Sequence, residues 1–408
     1  MSWLLNVRLE MREERHPEGH VTTQTDLFDM EIDENEQIKT IIPAAERARS
    51  VSGQDMEGWL MLPAFKEMHN HLDKTYLSVG WKACRPVKNL RERLDFEAEE
   101  LVELAETAEQ RATAMIERHL SYGVNHIRTH VNIDPFIGLK NLEGVKKALA
   151  KFEGQLTSEI VAFPQHGLLE HEDMPTLLKE ALNSGATHLG ALDPGGIDGH
   201  IEESLRLTMA LAKEHSVDVD LHLHDRGDLG YYTMSRWLEL IDEEEYQGRT
   251  AFSHAFGLSH LTPHVQKTFA KKMASRDVSV MSTIPIDVGN KLIPIEILEE
   301  NGVQVSFGCD GYFDSWSPYV LGDVLEKVRN YCQYRSLTDE KSLRLALGHI
   351  TNGVTPLTET GEYQWPKVGM EASGVFLPAS CSAEVVARVP EKRLLLSRGK
   401  FVQDDFER

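Results

Sequence analysis

The chain has 408 residues, 41% of them hydrophobic, and its 43 Lys and Arg against 65 Asp and Glu give a formal net charge of −22. That length holds one large barrel with a satellite domain, or two ordinary domains. The acidic balance repels phosphate backbones, so neither nucleic acid nor an anionic membrane is an expected partner.

No apolar run approaches the roughly 20 residues that span a bilayer. The stretch Met1–Glu10 lacks a basic segment followed by an apolar core. Cys84, Cys309, Cys332 and Cys381 show no close pairing and no CxxC spacing. Without a disulfide framework, the chain is expected in a reducing cytoplasm.

In chain order, residues 1–60 read as small twisted strands. Asp26–Ile32 and Gln37–Ile42 flank the turn Asp33-Glu34-Asn35-Glu36 and predict a hairpin packed through Leu27, Ile32, Ile38 and Ile41. From about residue 61, short apolar strands alternate with helical stretches. Strands are expected near 61–71, 126–131, 159–165, 188–193, 218–224, 250–256, 278–284 and 303–310. Helices fall near 97–121, 138–152, 174–185, 202–215, 231–246, 262–275 and 293–301, then near 317–336 and 339–351. The acidic residues of Glu97–Glu109 read as a solvated face. Eight strands with crossover helices predict a parallel (β/α)8 TIM barrel over 61–364, an α/β fold. The tail from about 365 returns to strand-like text at Gly374–Leu377, Glu384–Val386, Arg393–Leu396 and Lys400–Val402. Residues 1–60 and 365–408 are therefore expected to form a small composite β-sandwich domain.

Chemistry concentrates at strand ends. In Met68-His69-Asn70-His71-Leu72-Asp73-Lys74-Thr75 the two histidines at i and i+2 share one strand face. Two imidazoles so placed suit a divalent metal such as zinc or iron. Asp220-Leu221-His222-Leu223-His224-Asp225 repeats the pattern, Ser253-His254-Ala255-Phe256 follows, and Phe307-Gly308-Cys309-Asp310-Gly311 closes the series. Polar residues ending successive apolar, β-branched runs are the habit of a barrel enzyme. Several have plainer roles open to them. His254 could donate to a core carbonyl, Gln165 could pack at an irregular tip after Pro164, and Lys74 could be a surface charge or pair with Asp73. His130 and Arg128 read as barrel-interior polar residues at least as well as catalytic ones, and Trp316 as packing as well as pocket wall.

These motifs resemble the amidohydrolase superfamily, in the branch of cytosine deaminase and N-isopropylammelide amidohydrolase. The resemblance covers nearly the whole chain. It rests on His69-Asn70-His71-Leu72-Asp73-Lys74-Thr75, Ile127-Arg128-Thr129-His130-Val131, Val161-Ala162-Phe163-Pro164-Gln165, the His222 and His254 segments, and Gly308-Cys309-Asp310 through Phe313-Asp314-Ser315-Trp316. It implies one divalent metal, Zn or Fe, held by His69, His71, His222 and Asp310. It further implies His254 beside the nucleophilic water, Gln165 in the substrate pocket, and a catalytic or substrate-binding Lys74; His224 and Trp316 are expected at the substrate. Binuclear members carry a carbamylated lysine at the end of the fourth strand. Here that strand reads His188-Leu189-Gly190-Ala191-Leu192-Asp193, so a mononuclear site is expected. Where cytosine deaminase has a proton-shuttling glutamate three residues after its fifth-strand histidine, this chain has Asp225, which is expected to be catalytic in its place. Where that enzyme has a second acid after its metal aspartate, this chain has Gly311, and a donor-rich pyrimidine face loses an acceptor.

A metal-held water with pKa lowered toward 7 supplies hydroxide at neutral pH. Asp310 would accept its proton, and the tetrahedral species would collapse as the leaving amine is protonated. The expected activity is release of ammonia or an amine from a cyclic amidine or a pyrimidine-, pterin- or triazine-like ring, a small-molecule substrate. Hydrolysis of a linear or cyclic amide is the alternative chemistry. A catalytically silent barrel acting as a binding protein is the alternative class, and the intact His and Asp set argues against it. Barrels of this kind often assemble into homo-oligomers, but no interface is legible.

Overall fold

A computed structural model of the chain describes residues 2–285, 291–319 and 321–402. The chain starts with β1 (Ser2–Arg15), β2 (Val21–Ile32), β3 (Ile38–Pro43), β4 (Gln54–Asp55) and β5 (Leu60–Leu62). The hairpin expected between residues 26 and 42 is β2–β3, with Ile32 opposite Ile38. A longer hairpin, β1–β2, precedes it. Its register shifts between Leu4 and Val7 and between Glu10 and Arg12. Such bulges break the two-residue alternation by which a strand is recognised.

Pro63 ends β5, and Phe65–Asn70 opens the barrel as β6. The single strand expected near 61–71 is thus two strands in two sheets, because β5 pairs with β14 (Gly374–Leu377) and β1. The remaining barrel strands are β7 (Val124–Asn132), β8 (Thr157–Phe163), β9 (His188–Leu192), β10 (Asp218–His222), β11 (Thr250–Ser253), β12 (Val278–Ser282) and β13 (Val305–Phe307). They pair in parallel in chain order, from β6 to β13. The barrel closes where Asn70 bridges Asp310, and the Asp310 N–H donates to the His69 carbonyl at 2.8 Å. At this seam Gly308 lies so close to His69 that a Cβ would overlap it. The strands are largely buried on both faces, and their buried positions hold polar residues such as His69, Thr129, Asp220 and Ser253 as well as apolar ones.

Helices α1 (Leu90–Leu104), α2 (Ala108–Ser121), α3 (Lys140–Ala150), α4 (Met174–Asn183), α5 (Ile201–His215), α6 (Gly227–Glu243), α7 (Pro263–Ala274) and α8 (Ile295–Glu300) cover the barrel, followed by α9 (Val324–Arg335) and α10 (Glu340–Ala346). The long helix expected over 97–121 is two, separated by a tight turn at Ala105–Thr107. The helix expected from 317 begins at Val324, where Asp323 accepts the Leu325 N–H; position 320 lies outside the described residues.

One expected strand is a helix. Glu384–Val386 lies within α11 (Ser382–Arg388), where Glu384 accepts the backbone N–H and the hydroxyl of Ser380 at 2.8 and 2.7 Å. β15 (Leu394–Ser397) and β16 (Lys400–Phe401) end the described chain. The terminal segments make one mixed sheet in the order β16-β15-β14-β5-β1-β2-β3, with β4 beside β1. It curls until Lys400 pairs with Glu36, at 3.4 Å, and Leu4, Ile38, Phe376 and Leu396 share one core. Sandwich-like packing therefore comes from a single rolled sheet. Residues 403–408 of the expected composite domain lie outside the described residues. Among the described residues no helix is long and apolar enough to cross a membrane.

Candidate active site

Four imidazoles and a carboxylate converge at the C-terminal ends of the barrel strands. His69 comes from β6, His71 from just beyond it, His222 is the last residue of β10, and His254 follows β11. Ring centroids lie 4.6 Å apart for His69–His222, 4.7 Å for His69–His254 and 5.5 Å for His71–His222. Asp310 Oδ1 stands 3.4 Å from His71 Nε2 and 3.8 Å from His69 Nε2, and its Oδ2 stands 3.9 Å from His254 Nε2.

The surroundings fix the tautomers. Ser253 Oγ donates to Asp220 Oδ1 at 2.5 Å, so it accepts from His69 Nδ1 at 2.8 Å. His71 Nδ1 donates to the His130 carbonyl at 3.1 Å. Both Nε2 lone pairs therefore face Asp310, an arrangement of acceptors that needs a cation between them. Among the described residues, His69 Nε2 and both ring nitrogens of His222 are buried without a hydrogen-bond partner. Burial pushes His69 down to about 3 and His222 and His254 well below their usual range. Burial would raise the Asp310 carboxyl, yet its contacts with His71, His254 and His69 hold it well below the usual carboxylate range. Neutral imidazoles with a carboxylate are the donor set of a divalent metal. The trios His69/His222/His254 and His69/His71/Asp310 each keep their ligand atoms within 4.8 Å.

Above this floor opens a cavity of about 230 Å³. Phe163, Leu192, Leu90 and Trp316 give it apolar walls, and Lys74, Gln165, His224 and Asp314 give it polar ones. Lys74 is no surface charge: it is 4% exposed, donates to Gln165 Oε1 at 2.5 Å, and lies 3.4 Å from Glu97. His224 donates from Nδ1 to Asp193 Oδ2 at 2.9 Å. Burial opposes charge on His224, yet Asp193 raises its pKa overall. Arg128 takes the structural course, pairing with Glu159 and Asp220 at 2.6 and 3.1 Å. His130 is fully buried against His69 and His222, each 4.3 Å away between ring centroids.

Asp225 is not brought to the pocket. Its carboxylate accepts the Gly196 N–H at 2.9 Å, over a glycine pair that leaves it room. Three residues that sequence reasoning missed are at the site. Glu97, expected on a solvated face, is instead 2% exposed and accepts from Trp316 Nε1 at 2.9 Å. It shares the buried face of α1 with Leu94, Ala98 and Leu101, and a charge on that stripe was the available signal. Asp193 ends the fourth strand, and its Oδ1 also accepts the N–H groups of His224 and Asp225 at 2.6 and 3.0 Å. Asp314 lies on the pocket wall, 1% exposed.

The sequence profile of the amidohydrolase family matches residues 174–403. The chain belongs to the amidohydrolase family. It is 38% identical over 351 residues to YahJ of Escherichia coli strain K12, covering 85% of this chain and 76% of that one. It is 25% identical over 360 residues to the N-isopropylammelide isopropyl amidohydrolase of Pseudomonas sp. strain ADP, covering 86% and 88%. Among solved structures, the N-isopropylammelide isopropylaminohydrolase of Burkholderia multivorans superposes with a TM-score of 0.85 at 29% identity, covering 98% of each chain. The family and the barrel with a terminal β unit, both expected from the motifs, are borne out. As an amidohydrolase the chain is a hydrolase.

Proposed function

We propose that this amidohydrolase is a metal-dependent enzyme releasing ammonia or an amine from a C–N bond of a pyrimidine-, pterin- or triazine-like ring. The observation carrying this is the convergence of unpartnered, buried imidazole nitrogens on Asp310 at the floor of a cavity of about 230 Å³. That volume fits one or two fused rings, and its walls are apolar with polar groups on one edge. His69, His71, His222 and Asp310 would hold one zinc or iron ion. A divalent cation so held makes hydroxide available from water at neutral pH.

The chain's own groups do the rest. Asp310 accepts the proton of the attacking water and passes it toward the leaving amine. His254, whose Nε2 lies 3.9 Å from Asp310 Oδ2, orients that water. His224, fixed by Asp193, donates to the ring heteroatom on which negative charge develops when the carbon is attacked. Gln165 spends its carbonyl on Lys74, which turns its N–H groups to the substrate. Lys74 donates to a ring oxygen or nitrogen, and Phe163 and Trp316 sandwich the ring plane. Asp225 is assigned to holding the Gly195-Gly196 loop and not to the proton path.

The test is elemental analysis of untagged protein together with ammonia and amine release from N-isopropylammelide, 5-methylcytosine and pterin. The expected result is one zinc or iron per chain and release from at least one ring. Protein without metal, or metal-loaded protein that releases nothing, overturns the proposal.

A further inference from the structure

Asp314 has two oxygens with different fates. Oδ1 accepts the N–H groups of Trp316 and Ser317 at 2.8 and 2.9 Å, and the Asp314 N–H donates to the Ser317 carbonyl at 3.2 Å. The turn thus fixes the carboxylate in one orientation. Oδ2 is buried and has no hydrogen-bond partner among the described residues, although Asp314 lines the cavity. Leaving a carboxylate oxygen buried and unpaired is costly, and Asp314 does so in the wall of the cavity.

The space that Oδ2 occupies belongs to Gly311. A Cβ on Gly311 would overlap Oδ2, and Gly311 is not among the residues with positive φ. Glycine is therefore needed here for room and not for backbone freedom. The acceptor that the sequence seemed to lose at position 311 is present, delivered from three residues further along the same loop. Asp314 lines the cavity together with Lys74 and Gln165, whose ammonium and amide groups supply donors.

Resting on the function proposed above, we infer that Asp314 is the residue that recognises the ring edge. Its Oδ2 accepts an N–H of the substrate while Lys74 and Gln165 donate to an adjacent carbonyl. The ligand chemistry this fits is an oxo-substituted nitrogen ring presenting N–H next to C=O. Burial, helped by Glu97, raises the Asp314 carboxyl to about 7 against the pull of its two backbone bonds and Lys74. A substrate N–H would then stabilise the ionised form.

Asp314→Asn separates recognition from structure. The amide keeps an oxygen for Trp316 and Ser317 and puts an N–H donor where Oδ2 stood. On whichever ring the wild type hydrolyses, kcat/KM is expected to fall about 10- to 100-fold, carried by KM, with metal content unchanged and Tm not lowered. Gly311→Ala, which displaces Oδ2 while leaving the carboxylate in place, is expected to raise KM likewise and serves if the Asn variant fails to fold. Ring hydrolysis with wild-type KM in the folded variants overturns the role of Asp314 and leaves the proposed function standing. A metal-loaded wild type that hydrolyses none of N-isopropylammelide, 5-methylcytosine and pterin overturns both.

Discussion

At the scale of single residues, the site is a set of lone pairs arranged before any cation arrives. The Ser253 and His130 contacts direct His69 and His71 Nε2 inward, and burial pushes the His69 pKa down to about 3. His222 adds two nitrogens without partners, so His222→Ala should abolish metal retention and turnover together. Elemental analysis decides it, and unchanged metal content would remove His222 from the ligand set. These residues were legible because each histidine or aspartate ends an apolar strand run. Asp314, Glu97 and Asp193 were not, because an isolated acid in a loop or helix reads as solvated until its burial is known. Asp134 is another such acid. Fully buried, it accepts the Phe136 and Ile137 N–H groups through Oδ1, while Oδ2 has no partner. Burial first, then Glu97 and Asp73, raise it to about 6 from an ordinary 3.8. Below 3.8 both folded and unfolded chains hold the proton and the fold pays nothing. Between 3.8 and 6 only the unfolded chain ionises, so stability falls with rising pH and levels off above 6, a loss of up to about 3 kcal/mol. Asp134→Asn should therefore stabilise the protein at pH 7 and give no gain near pH 3.5. Urea titrations at the two pH values measure this, and equal effects at both would refute it.

At the scale of elements, α1 is the piece that completes the pocket. Leu94 packs with Phe163, Leu192 and Ile197, Leu90 lines the cavity, and Glu97 ties Trp316 and Lys74 to the helix. Glu97→Ala strips Trp316 Nε1 of its acceptor and Lys74 of a buried counter-charge. KM should rise about tenfold, and amide exchange across α1 should quicken. Unchanged KM with unchanged exchange would show that α1 is held by its apolar face alone. The sequence showed a helix here but misplaced its ends. Nothing at Ala105–Thr107 breaks a helix by composition, since the turn contains neither Gly nor Pro. The barrel strands were easier, because short segments with buried apolar residues alternate regularly with helical stretches. The terminal strands were harder. Bulges interrupt the alternation of β1, and the three residues Glu384–Val386 are too few to tell a period of 2 from one of 3.6.

At the scale of the molecule, the terminal sheet and the barrel are joined through charges as well as apolar contact. Arg393, immediately before β15, donates to Asp323 Oδ1 and Oδ2 at 2.8 and 2.5 Å and to the Tyr122 carbonyl at 3.0 Å. Asp323 caps α9 and Tyr122 ends α2, so one guanidinium holds two barrel helices to the sheet. The pair is nearly sealed from water, with side chains 2% and 7% exposed. Arg344 repeats the device from the barrel side, donating to the Leu357 carbonyl at 2.7 Å and pairing with Glu13 of β1. Removing one partner of a buried ion pair leaves the other charge desolvated and alone, which costs about 3–5 kcal/mol. Arg393→Ala should lower the unfolding free energy by that amount. If sheet and barrel unfold as one unit, the variant keeps a single urea transition with an unchanged slope and a lower midpoint. If they are separable, it splits the curve into two, the sheet melting first while bound metal is retained. Recording metal release alongside far-ultraviolet circular dichroism distinguishes these outcomes. The single transition is expected, because β5 belongs to the terminal sheet and runs through two residues into β6, which carries His69.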